Sequence, residues 1–93
     1  MGPPEPFYHP DQLTITAGKA VFFLTNVPGV LPAPHNLAIG PALREVLVRS
    51  RAVSSRRSAV FTVEDLPAGT YVFWCEVEDH AALGMVGSLT VTP

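Results

Sequence analysis

Only one cysteine, Cys75, occurs in the 93 residues, so no disulfide can form within the chain. The thiol is therefore free, a metal ligand or a nucleophile, and by itself says little about redox compartment. Charge is scarce: Asp, Glu, Lys and Arg make up 15% of the chain, with a net charge of −2. That balance argues against a general nucleic-acid binder. No apolar run approaches the roughly 20 residues that cross a bilayer, so no membrane span is expected. There are three histidines and, besides Met1, one methionine. Three histidines are too few for a multinuclear imidazole centre, and a dinuclear metal site bridged by two cysteines would lack its second. What remains is a chain with 47% hydrophobic residues, enough for a single packed domain spanning 1–93.

The scarce residues are gathered together. Cys75, His80 and Met85 fall at even intervals in one stretch, and His35 followed by Asn36 lies forty residues upstream of the cysteine. One thiolate, two imidazoles and a thioether are the donor set of a mononuclear blue-copper electron-transfer site. A soft thiolate suits Cu(I), imidazole suits both oxidation states, and a weak axial thioether adjusts the potential without forming a short bond. Read alone, Cys75 would be a small buried hydrophobe and His35 a loop histidine. A nucleophilic Cys–His pair is another option, but it leaves His35, Asn36 and Met85 unexplained. Zinc would accept the thiolate and imidazoles, whereas methionine is a poor zinc ligand. His9, beside Pro10, has no motif partner and is left out of the site.

Periodicity supplies the frame. Leu13 to Thr16 alternates apolar and polar, a half-buried strand with Leu13 and Ile15 inward. Ala17 and Gly18 form a turn, and Lys19 to Thr25 reads as a more buried strand. Prolines and a glycine make 27–34 a loop; His35 to Ile39 is a short strand, broken by Gly40 and Pro41. Region 42–57 is ambiguous: Leu43, Val46 and Leu47 have helical spacing, although Val46 to Val48 would also suit a strand, and a short helix or an irregular excursion is expected. Strands follow at Ser58 to Val63, Thr70 to Glu76 and Met85 to Thr92. In the middle one Tyr71, Phe73 and Cys75 share a face. Many short strands with Gly/Pro turns predict an all-β Greek-key β-sandwich.

These segments resemble the cupredoxins, the plastocyanin, azurin and phytocyanin family, over nearly the whole chain. Leu13 to Asn26 resembles the early strands, Pro34-His35-Asn36 the first-ligand loop, Leu66 to Cys75 the strand leading to the cysteine, and Gly84 to Val91 the closing strand. The resemblance implies one copper ion held by His35, Cys75, His80 and Met85. It also implies that Asn36 steadies the thiolate by hydrogen bonding and that the His80 ring is the electron port. The chain would then be a carrier cycling Cu(II)/Cu(I), not an enzyme. Its expected partners are redox proteins such as a cytochrome or an oxidase. The expected form is a monomer in the periplasm or another extracytoplasmic space. A copper chaperone or storage module on the same fold is the alternative. One departure stands out: four residues separate Cys75 from His80, as in the phytocyanin or sulfocyanin type, where plastocyanin has two. No signal peptide is read at Met1 to Pro4, and the Pro-rich leader 1–10 reads as the stub of a tether or an extended entry to the first strand.

Pro34 before His35, and Ala81, Ala82 and Leu83 after His80, are expected to form an apolar collar where a redox partner docks, small as such encounters usually are. Five of the six basic residues lie between Arg44 and Arg57, while Glu76, Glu78 and Asp79 crowd the ligand loop. Such runs are usually solvated faces; the functional alternative is electrostatic steering of a partner.

Overall fold

The computed structural model describes residues 8, 10–27, 33–77, 80–81 and 85–93. His9, Glu78, Asp79, Ala82, Leu83 and the leader before Tyr8 lie outside the described residues. The described residues form seven strands and no helix: β1 (Gln12–Thr16), β2 (Gly18–Thr25), β3 (Ala38–Gly40), β4 (Val48–Arg49), β5 (Ser58–Leu66), β6 (Gly69–Trp74) and β7 (Val86–Thr92). One sheet has the order β1-β7-β6-β3-β4, the other pairs β2 with β5. The chain changes sheet between β1 and β2, β2 and β3, β4 and β5, and β5 and β6, which makes the expected sandwich. No helix among the described residues is long and apolar enough to cross a membrane.

Alternation drives the packing. In β2, Ala20 and Phe22 point inward and are buried, whereas Val21 and Phe23 face out. They meet Ile39, Leu66, Phe73, Leu89 and Val91 from the other elements in one core. Fully burying side chains of this size contributes about 1.5–3 kcal/mol each. Leu13 and Ile15 of β1 pack against that core as expected, and β1 runs parallel to β7 with Leu13 opposite Leu89.

Several expectations need correction. Of the readings of 42–57, the helix fails: a tight turn is followed by the short paired strand β4, so the stretch is irregular only in part. Leu43 and Leu47 remain 45% and 53% exposed, so their helical spacing marks no buried stripe. Arg44 has φ of 71°, a left-handed conformation that an α-helix cannot contain. The bridge between Ala42 and Glu45 closes a tight turn instead. That turn comes so close to Gly40 that a Cβ there would lie 1.6 Å from the Glu45 carbonyl oxygen; β3 therefore runs through Gly40, which the close approach requires to be glycine, and ends before Pro41. His35 does not begin a strand; it forms an isolated bridge with Val53. Finally, β6 ends at Trp74, leaving Cys75 and Glu76 just beyond the ladder.

Candidate metal centre

Register brings the distant donors to one end of the sandwich. Ala38 of β3 lies opposite Trp74 of β6, so the residues preceding Ala38 run alongside those following Trp74. His35 is fixed by a reciprocal backbone pair, its N–H donating to Val53 O (3.1 Å) and its carbonyl accepting from Val53 N (2.6 Å). On the other side, Cys75 N donates to Met85 O (3.2 Å) and Met85 N to His80 O (3.0 Å). The loop from Cys75 to Met85 is thus closed by its own backbone at both the middle and the end.

The donor atoms form a small triangle. His35 Nδ1 and His80 Nδ1 are 3.2 Å apart, and Cys75 Sγ lies 3.9 Å from the first and 3.5 Å from the second. Dividing the product of these sides by four times the area they enclose gives a circumscribed radius of about 2.1 Å. Nitrogen and sulfur donors bond to a first-row metal ion at roughly that length. At 3.2 Å the two imidazole nitrogens can share a proton, so the argument for a metal lies in the third donor: a trigonal His₂Cys set is the arrangement that copper takes in electron-transfer sites. The residues therefore fit the metal. Cys75 is 1% and His80 7% exposed, with His35 half-buried. Met85 is buried and lines a cavity of about 240 Å³ together with His35, Asn36 and Tyr8.

Electrostatics at the sulfur pull in two directions. Burial pushes the Cys75 thiol up, and the backbone N–H groups of Asn36 and Val77 pull it down; the Val77 N lies 3.4 Å from Sγ. The negative charge of Glu76 opposes ionisation further. A positive ion in the triangle would outweigh burial, since a coordinating thiol is deprotonated outright.

Asn36 has contacts in two directions. Its backbone N–H serves the sulfur, while its side chain serves Glu76, accepting from Glu76 N at Oδ1 (2.7 Å) and donating from Nδ2 to Glu76 Oε1 (3.0 Å). Of the collar residues, Pro34 is exposed and Ala81 half-buried.

Several supporting residues carry no signal in the sequence. Asn26, buried at the end of β2, donates from Nδ2 to both Ala33 O and Val53 O at 2.8 Å, pinning the two segments that flank His35. Tyr8 hydrogen-bonds the carbonyl of Asn36 and sets its ring edge-on to Phe73 at 5.1 Å. Its phenol is pushed far up, chiefly by burial and then by the charges of Cys75 and Glu76. Ser50 accepts from Leu37 N at 2.9 Å. Only contacts across the sandwich give these residues their roles.

Residues 6–92 match the family described as copper binding proteins of the plastocyanin/azurin family. The chain belongs to that family. Plastocyanin of Nostoc punctiforme is 33% identical over 95 residues, covering 90% of this chain and 63% of that one. The chain thus spans somewhat under two thirds of that relative's length. In three dimensions it superimposes on auracyanin B with a TM-score of 0.83 at 19% identity, over 99% of this chain and 84% of that one. A purple cupredoxin from Nitrosopumilus maritimus gives 0.66 at 27% identity, over 92% and 82%. These likenesses bear out the all-β cupredoxin sandwich and the family resemblance.

Proposed function

We propose that this cupredoxin is a one-electron carrier whose single copper ion would be held by His35, Cys75 and His80 and, more weakly, by Met85. The observation that carries the reading is the buried donor triangle, whose size suits a metal ion and whose composition suits copper. Bound there, copper would supply a Cu(II)/Cu(I) couple. The chain's own part is to keep the donors still. The Val53 pair fixes His35, the loop's backbone bonds fix His80 and Met85, and two N–H groups hold the sulfur. A framework closed on every side cannot relax toward the geometry that either oxidation state prefers, so little rearrangement accompanies transfer.

In this reading residues 1–93 act as one domain without enzymatic activity, working outside the cytoplasm with a cytochrome or oxidase as partner. The electron passes through the His80 edge, and Pro34, Ala81, Ala82 and Leu83 receive the partner. Voltammetry of the copper-loaded protein, followed by challenge with a Cu(I) chelator, tests the carrier assignment. A reversible one-electron wave with copper retained supports it. Rapid surrender of Cu(I) with no reversible wave would replace the carrier with a copper-delivery or storage module.

A further inference from the structure

Arg49 touches none of the four ligand candidates, yet it stands at the head of a chain of contacts that ends on the sulfur. β3 carries neighbours on both sides: Ala38 is opposite Arg49 of β4 and opposite Trp74 of β6. Glu76, two residues past Trp74, therefore comes within reach of Arg49 over the end of the short β3. The contact is a two-pronged one, with Arg49 Nε 2.9 Å from Glu76 Oε1 and Nη2 3.1 Å from Oε2. It is the one ion pair among the described residues. Oε1 also accepts from Asn36 Nδ2, and Asn36 Oδ1 accepts from Glu76 N. Glu76 follows Cys75 directly, and Asn36 follows His35.

We propose that the Arg49–Glu76 pair is a positioning and charge-balancing device for the metal thiolate. It locks Glu76 against Asn36, and it cancels the carboxylate charge one residue from the sulfur, so that a residue of β4 sets the reduction potential. This inference rests on the copper reading above.

Two physical effects support it. An arginine fork constrains a carboxylate in direction as well as distance, and here the carboxylate's second duty is to orient the Asn36 amide. A negative charge beside a ligand favours the more positive oxidation state, and a nearby guanidinium offsets it. Glu76 follows Cys75 directly in the chain, so its carboxylate stands one residue from the sulfur. The Arg49 side chain is 59% exposed and that of Glu76 27%. As an ordinary surface pair it would contribute little to stability. Its consequence is to be sought in the potential.

The test is a two-by-two set: wild type, Arg49→Met, Glu76→Gln and the double variant, with Arg49→Lys as a charge-retaining control. Each is copper-loaded, checked for the thiolate-to-copper absorption band, and its potential measured at low ionic strength. Melting of the metal-free forms confirms folding. Arg49→Met leaves the carboxylate uncompensated. It should raise the oxidised-to-reduced ratio at fixed poise by roughly threefold, a fall of about 28 mV at 59 mV per tenfold. Glu76→Gln, which keeps an oxygen for Asn36, should shift the ratio the other way. The double variant should return toward wild type, and Arg49→Lys should stay near it. Shifts absent from both single variants, or of the same sign in both, would overturn the proposal while leaving copper binding intact. Absence of the band in wild type would remove the copper reading and this inference with it.

Discussion

Asn26 is the residue on which the account can be pressed hardest, because nothing in its chemistry suggests metal binding. Its side-chain amide donates to Ala33 O and Val53 O, each at 2.8 Å, and the residue is 6% exposed. Its backbone is independently paired with the 54–57 turn, its N donating to Arg57 O and its carbonyl accepting from Arg56 N, both at 2.9 Å. Truncation to alanine leaves that backbone pairing in place and deletes two hydrogen bonds, one buried and one partly buried. At about 1 kcal/mol net for each bond, Asn26→Ala should lose about 2 kcal/mol in urea unfolding of the metal-free protein. For a domain of this size that is a fall in Tm of about 8–16 °C. Val53 O keeps its bond from His35 N, so the orphaned acceptor is Ala33 O, two residues before His35. Copper release to a chelator should therefore quicken as well. Asn26→Asp is the sharper control: nearly the same shape, but its carboxylate oxygens would face two carbonyls with no proton to offer. It should be at least as damaging as alanine at neutral pH. A loss below about 0.5 kcal/mol for alanine, against the expectation for paired buried groups, or wild-type stability for aspartate, would refute the reasoning.

Three further outcomes are expected. Tyr8→Phe removes the bond to the Asn36 carbonyl but keeps the ring against Phe73, so about 1 kcal/mol should be lost. The folded state raises the Tyr8 pKa, so its contribution is whole below the ordinary tyrosine range near 10 and fades as pH rises above it. The phenylalanine variant should lose stability less steeply in alkali, the remaining slope including the buried Cys75 thiol, whose pKa is raised in the same direction. Because that raised thiol is protonated at neutral pH in the metal-free protein, copper uptake should release a proton from Cys75 and weaken as pH falls, as calorimetry in buffers of different ionisation enthalpy would show. Leu83→Glu should slow electron exchange with a protein partner while leaving the visible spectrum unchanged; an unchanged bimolecular rate would remove Leu83 from the docking patch.

The donors were legible because the residue types that bind copper are rare in this chain and stand in one short stretch plus one loop. Strand alternation was plain in β1, where a pleated strand half-buried on one face imposes period two on the sequence; β2, expected to be more fully buried, instead alternates, with Val21 and Phe23 exposed. Two kinds of feature were not legible. Leu43, Val46 and Leu47 mimic a helical stripe, but spacing cannot tell a buried face from exposed residues in successive turns. The supports of the site depend on pairings between segments far apart in sequence. Asn26 reaches Val53, Tyr8 reaches Asn36, and Arg49 reaches Glu76 over β3. Each becomes meaningful only when the register of the sheets is known. Asn36 shows both sides: its place after His35 marked it as a support, but its hold on Glu76 was invisible.

The central claim is that His35, Cys75 and His80 converge on one copper ion, and the most direct measurement is Cu(II) titration of the metal-free protein by visible absorption and EPR, with Cys75→Ala in parallel. The account predicts an intense thiolate-to-copper band that saturates at one equivalent and is missing from the variant. A protein that takes up no copper, or a band that survives in Cys75→Ala, would contradict it.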